Sequence, residues 1–501
     1  MSQTSLKVSR FTGQAQRFAG ALLSLSLLSI FAHAEPAGLT SSSSLQFEKA
    51  GVTGDATGAD AYVRFESMQY PTLLQGQENL SQSNMMEAGL KAGTSLNEGD
   101  TLSAQMDLAA GRSLNLNYSY ISVYEASVAM TSPSRQFSLR LGRHLTAWND
   151  ADRVWNMNLW NPTFAMDALR IQQQGLMGLF LAANGTYLQA QAFFSPAFIP
   201  TMTPEVADRN GEITSESRWF RSIPTQSEII GRPTRLYYRL EIPQIQELIS
   251  QPAIGGQIRV GRTDTGPWAR LSVADKAINT LFFKYDANFR TATDQQARGE
   301  VELRPLAQRH LVTGLDLGLQ FDGGEVVLSH VQDRPTPAKI DNPRSSEGLA
   351  TDFIQQSPRP LRATTIRWDQ HNLRVPFTTL PLQGRLAYLK ADAEPTLDYD
   401  AAGQQQSSLI PHRLNYTNAV TVEGKAGLSA RWNLGLKYLR DFDQRGSQWN
   451  MEVSYHRGSW IAVVGGDSLG VDDSSVTNGD TRFLNYYRQN DRVYGGLTYV
   501  F

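Results

Sequence analysis

The chain has 501 residues, with 46 Lys and Arg against 48 Asp and Glu for a formal net charge of −2, and it contains no Cys. That balance excludes the basic footprint of a nucleic-acid-binding protein, and the missing thiols exclude disulfides, a lipid-anchored Cys and thiolate metal sites. A mean hydropathy of −0.34 describes a soluble protein, but equally a membrane wall in which lipid-facing and lumen-facing residues alternate and their hydropathies cancel.

In chain order, Lys7, Arg10 and Arg17 precede an apolar run from Phe18 to Phe31, followed by Ala32-His33-Ala34. A basic region, an apolar core and an A-x-A site are the parts of a secretory signal peptide, so residues 1–34 are predicted to be cleaved after Ala34, leaving 35–501. The apolar run is shorter than the roughly 20 residues of a spanning helix. No later run approaches that length; Leu176 to Ala183 is among the longest.

After a Ser-rich lead at 40–44 and a short strand at 45–50, strands are expected at 61–68, 86–94, 101–109, 115–130 and 135–143, with Asn97 to Asp100 as a turn. Tyr118 to Tyr124 alternates aromatic residues as a wall strand with one lipid face does. Asn184-Gly185 between 176–183 and 187–194 is the best hairpin signal. The second half adds strands at 235–242, 254–261, 268–273, 279–289, 298–304, 311–321, 325–331, 363–371, 382–391, 413–423, 428–439, 448–456, 460–467 and 491–501. Asp322 to Gly324, Glu423 to Gly427 and Arg457-Gly458 read as tight turns; 196–233, 332–360, 392–411 and 468–490 read as long loops. The fold class is therefore all-β: one large antiparallel transmembrane β-barrel with short turns at one end and long outer loops at the other. The map holds about 22 segments, but parity then puts loop 196–233 on the wrong end, so one strand is miscounted, with 243–310 as the suspect region. An even number from about 18 to 22 follows, and such a barrel is too wide for wall side chains alone to fill.

The segment Asp491 to Phe501 carries the family signal. Tyr494, Gly496, Tyr499 and the terminal Phe501 resemble the C-terminal signature of Gram-negative outer-membrane β-barrels. The resemblance implies an outer-membrane location, contact with lipid and lipopolysaccharide, and recognition by periplasmic chaperones and the barrel-assembly machinery. The alternative is a soluble β-protein ending in Phe.

Between strands, Gly142 to Asp167 places Trp148, Trp155 and Trp160 among Asp150, Asp152, Arg153 and Asp167. Loops keep that many aromatics when they fold against something. The Gly-Arg strand end followed by Trp, Asp and Asn-Pro resembles segments of porin-like and polysaccharide-export barrels, in which such a loop enters the lumen. Residues 144–172 are thus expected either to fold inward or to cap the outer rim. If inward, Asp150, Asp152 and Asp167 would pair with wall arginines such as Arg140 and Arg239.

Arg140, Arg235, Arg239, Arg259, Lys284, Asp286, Arg290, Arg367, Asp369 and Lys437 alternate with apolar neighbours. Each should point inward, since an Arg or Lys on the lipid face at mid-bilayer costs about 2–4 kcal/mol. The excess of basic residues suits anionic solutes; mixed charges bonding one another across a watery lumen suit the same list. Catalysis is not supported. Gly466 to Leu469 spells the block of the GDSL esterases, yet no His follows His456; no metal-ligand spacing, phosphate loop or cofactor motif is present. The expected function is a passive porin-like channel for small hydrophilic or anionic solutes. The alternatives are a non-conducting adhesin or membrane anchor acting through its loops and, third, an outer-membrane hydrolase.

Overall fold

The computed structural model describes residues 58–501 except 74–77, 97–100, 221–222, 224, 230–231, 263, 292–296, 337–357, 359, 374–381, 394–397, 400–404, 407–412 and 473–481. The signal peptide with its site after Ala34, the strand expected at 45–50 and the turn at 97–100 lie outside the described residues.

A single sheet of 18 antiparallel strands runs in chain order. Its first half is β1 (Gly58–Gln69), β2 (Gln82–Ser95), β3 (Leu102–Ser113), β4 (Ser119–Thr131), β5 (Phe137–His144), β6 (Leu176–Asn184), β7 (Leu188–Ser195), β8 (Ala253–Gly261) and β9 (Gly266–Ala277). The second half is β10 (Arg309–Phe321), β11 (Gly324–Pro335), β12 (Leu361–Leu373), β13 (Leu382–Ala393), β14 (Asn418–Gly427), β15 (Trp432–Asp441), β16 (Gly446–Arg457), β17 (Trp460–Val471) and β18 (Arg492–Val500). β18 then pairs with β1, Val500 opposite Tyr62 and Val493 opposite Gln69, so the sheet closes on itself. Closure leaves no unpaired edge to face lipid.

Each strand sorts its residues by period two. Along β10, Leu311, Leu315, Leu317 and Leu319 are exposed, while His310, Val312 and Asp316 are buried between them. Along β12, Ile366 and Trp368 face out, and Thr365, Arg367 and Asp369 face in. The outside is apolar and the inside polar, which is the sorting that a bilayer around the barrel requires. No described helix is long and apolar enough to cross a membrane. Aromatic rings cluster near the closing end: Trp460 lies 4.8 Å from Tyr499, which lies 4.9 Å from Phe501, and Trp432 lies 4.7 Å from Tyr455.

The end holding Val500 carries the short connections, including 322–323 and 458–459; the opposite end carries 145–175, 196–252, 278–308 and 336–360. Loop 196–233 therefore shares the long-loop end, and the parity conflict is resolved by strands that leave the wall. Arg232–Leu240, Phe282–Thr291 and Ala297–Leu306 join Gln226–Ile229 in a separate four-stranded sheet, whose central pair, Arg232–Leu240 with Ala297–Leu306, is parallel. Two of the three miscounted strands lie within 243–310 and cancel in parity; the odd one is 235–242, just before it. Ile213, Leu236, Tyr238, Val301 and Leu303 form this sheet's own small core.

Candidate functional site: the lumen and its infolded loop

Inward positions of the wall carry most of the buried charge. On β4 a bulge at Tyr124 breaks the register between Asp107 and Leu108 of β3. The extra residue lets Tyr120, Ser122 and Tyr124, and then Glu125 and Ser127, all face the interior. Arg140 on β5 answers Glu125 at 3.5 Å and Gln105 at 3.0 Å, and His144 Nδ1 lies 2.5 Å from the same Glu125 oxygen.

The wall hands over to the loop at Gly142, whose φ of +124° a side chain would strain and whose Cβ would meet the Ala126 carbonyl at 2.3 Å. Arg143 then donates to Gly175 O at 2.9 Å and Gln174 Oε1 at 3.0 Å, tying the two ends of 145–175 together. Asn149 caps the short helix α1 (Asp150–Trp155), its Oδ1 accepting from Asp152 N, as N-cap Asn does. The same side chain donates through Nδ2 to Asp316 at 2.7 Å and Ser329 at 2.9 Å, on β10 and β11. Asp150 receives Arg367 Nε at 2.7 Å and Nη2 at 3.0 Å, with Arg153 at 2.8 Å. Removing Arg367 would leave the buried Asp150 with Arg153 as its remaining counter-charge.

Aromatic packing fixes the rest of this half. Trp148 stacks on Trp160 at 5.8 Å and tilts against Phe193 of β7 at 5.0 Å. Trp155 donates from Nε1 to Thr365 Oγ1 at 2.9 Å. Asp152 binds its own loop, accepting from Leu159 N at 2.9 Å and Trp160 N at 3.2 Å. Burial pushes its carboxyl up to about 6, while those N–H groups and the Lys276 charge pull the other way. Beyond a two-residue ladder between Thr163–Phe164 and Gln172–Gln173, the loop reaches the far side of the ring. Asp167 there pairs with Arg492 of β18, and Arg170 with Glu66 of β1. The segment is thus anchored to inward-facing side chains of widely separated strands.

From β11 to β15 the wall carries one ribbon of alternating charge. Glu325 meets Arg367 at 2.6 Å, Arg367 meets Asp369, Asp369 meets Arg385 at 2.8 Å, Arg385 meets Glu423 at 3.6 Å, and Glu423 meets Lys437 at 3.3 Å. Across the lumen Arg64 pairs with Glu87 at 3.0 Å. Arg259 instead lies over the Trp268 ring at 4.8 Å. At the long-loop end Arg218, from loop 196–252, donates to Asn490 and to the carbonyls of Thr72 and Gln489, clasping three loops together.

Of the residues singled out from sequence, Arg140, Arg259, Arg367, Asp369 and Lys437 stand on the wall facing inward, and Trp148, Asp150, Asp152, Trp155, Trp160 and Asp167 lie in the infolded loop. Arg235 and Arg239 do not reach the lumen. Both are exposed on the separate sheet, where Arg235 meets Glu212 at 3.3 Å; Lys284, Asp286 and Arg290 belong to another strand of that sheet. The expected pairing of loop carboxylates with wall arginines occurs for Asp150 and Asp167, with Arg367 and Arg492 in place of Arg140 and Arg239, whereas Asp152 accepts from the backbone of its own loop instead. Arg492 stands two residues before Tyr494, in phase with the inward face, and that alternation is its only mark in the sequence. Arg170 and Glu66 carried no comparable signal, since they meet across 104 residues. Tyr494 and Gly496 face inward, Tyr494 donating to Glu452 at 3.1 Å, and Tyr499 and Phe501 face outward. In the Gly466 to Leu469 block, Asp467 is held by Arg492 at 2.6 Å and Asn450 at 2.7 Å, while Ser468 points outward.

A closed membrane-type barrel with a polar lumen and a loop folded into it is of porin-like build. Among solved structures the chain is similar to Pseudomonas aeruginosa OccK11 (OpdR), at 10% identity and a TM-score of 0.42 over 88% of this chain and 95% of that one. It is also similar to Acinetobacter baumannii OccAB2, at 11% and 0.39 over 89% and 99%. Salmonella typhi OmpF, solved in complex with daunomycin, gives 8% and 0.38 over 90% and 99%. No family model matches the chain, and no curated protein matches it.

Proposed function

We propose that the protein is a passive outer-membrane channel for small hydrophilic solutes, with residues 145–175 as its constriction. The observation that carries this reading is the anchoring of one loop across a polar lumen at Asp150–Arg367 and at Asp167–Arg492. The ion-paired ribbon also bears on selectivity. Arg367, Arg385 and Lys437 each face a carboxylate, so the excess of basic residues in sequence does not translate into a lumen field favouring anions. Weak charge preference follows. Planar-bilayer recordings test it: deleting Asn149–Phe164 should raise conductance while the barrel still folds. Equal conductance from parent and deletion would sink the constriction.

This reading surrounds the wall with lipid and lipopolysaccharide and makes Tyr494, Gly496, Tyr499 and Phe501 the signal for chaperones and assembly machinery. Phe501→Asp should lower the yield of heat-modifiable barrel in the outer membrane; an unchanged yield would remove Phe501 from that role. A second reading, a non-conducting adhesin or anchor, is favoured only by the separate sheet at the long-loop end, and absence of any conductance would select it.

A further inference from the structure

Between the inner face of β1–β4 and residues 164–172 of the infolded loop lies a cavity of about 100 Å³, which none of the ribbon from Arg367 to Lys437 lines. A cavity needs about 10–15 Å³ to admit a single water, so this one holds more than one. Its walls combine ring faces with charges that are already paired. Phe164 packs 4.8 Å from Tyr120 and 6.0 Å from Tyr124, and Tyr118 lines the same space. The Tyr120 ring lies flat on the wall because Gly111 beneath it has no side chain; a Cβ there would stand 2.4 Å from the ring.

Arg64 is paired with Glu87, and Glu87 also accepts from Tyr62 at 2.9 Å and from Tyr120. Arg170 is paired with Glu66, and Asp167 with Arg492. An entering anion must compete with Glu87 for Arg64 and with Glu66 for Arg170, while Arg218, which also lines the cavity, already donates to Asn490 and to the carbonyls of Leu80, Thr72 and Gln489; an entering cation must displace an arginine. A hydroxyl meets neither penalty, because it donates to a carboxylate and accepts from a guanidinium or phenol with the same atom. Its C–H groups can lie on the rings, which bury apolar surface while their polar edges stay bonded.

We infer that this cavity is a binding site for a small uncharged polyol, of glycerol to erythritol size. The inference rests on the channel reading only in giving the solute a reason to visit. Saturation-transfer NMR on the folded full chain in detergent micelles tests it, with glycerol and erythritol as ligands and acetate and tetramethylammonium as charged controls. Irradiating aromatic protons should transfer magnetisation to the polyol C–H protons severalfold more than to either ion. Tyr120→Leu and Phe164→Leu should each reduce the transfer severalfold; Phe164 is in the loop, so its variant keeps every wall ladder if Tyr120→Leu fails to fold. Transfer unchanged in the Phe164 variant, or larger to tetramethylammonium or acetate than to the polyols, overturns the site. A conducting barrel without polyol transfer defeats this inference alone. Polyol transfer in a barrel that does not conduct defeats the channel and leaves the site standing.

Discussion

Two bodies are inserted between the wall strands, one from a single loop and one from two, and they solve the burial problem in opposite ways. Residues 145–175 make only a two-residue ladder and a short helix of their own; they are held by wall groups, through Asp150, Asn149, Trp155 and Asp167. The segments 226–240 and 282–306 pair with each other and bury Leu236, Tyr238, Val301 and Leu303 in a core no wall strand supplies. The first insertion is a dependent of the lumen. The second is self-sufficient. A loop that takes its structure from the wall necessarily shapes the passage, whereas one with its own core can vary without touching it.

The contrast is broken most severely at Arg367. Arg367→Met leaves Asp150, Glu325 and Asp369 facing one another, and losing one partner of a buried ion pair costs about 3–5 kcal/mol. Limited proteolysis should then cut within 145–175 and leave 226–306 as resistant as in the parent. Equal protection of 145–175 would show that the aromatic contacts alone hold it. Leu236→Ala tests the other side. It should cost about 2 kcal/mol, the low end for a buried Leu→Ala, because a core this small can collapse around the gap. Proteases should then open the separate sheet with barrel unfolding and conductance unchanged. Arg235→Leu, beside an exposed pair, should shift stability by no more than about 0.5 kcal/mol; a change in conductance from it would return Arg235 to the lumen.

Alternation explains both what could be read from the chain and what could not. Leu236, Tyr238 and Leu240 against Arg235, Tyr237 and Arg239 scan like Leu311, Leu315 and Leu317 against Val312 and Asp316, because period two reports a strand with two unlike faces and not what covers them. The closed wall, the turns at 322–323 and 458–459 and the inward direction of Arg140, Arg367 and Asp369 were therefore legible; Glu423 to Gly427, expected as a turn, instead continues β14, and the connection falls at 428–431. The membership of 232–240 was not legible, since a parallel pairing with 297–306 leaves no local mark. Within the loop, residue types announced packing and charge pairing, but the choice of Arg367 over Arg140 depends on how far the loop travels inside the ring. That distance is set by Asn149 reaching Asp316 and Ser329, a contact spanning more than 160 residues.

The pairing of β18 with β1 has a kinetic side. Tyr62 and Val500 are neighbours across the seam, yet nearly the whole chain separates them, and closing so long a loop costs entropy before any seam bond repays it. Until the seam forms, β1 and β18 are open edges, each able to pair with another chain. The seam is also where the interior latches converge: Glu66 and Arg492, which hold the far half of the infolded loop, stand on the two strands that meet last. The lumen therefore has its finished cross-section only when the seam is shut, because the latches that hold the far half of the loop come from both of the strands that form it.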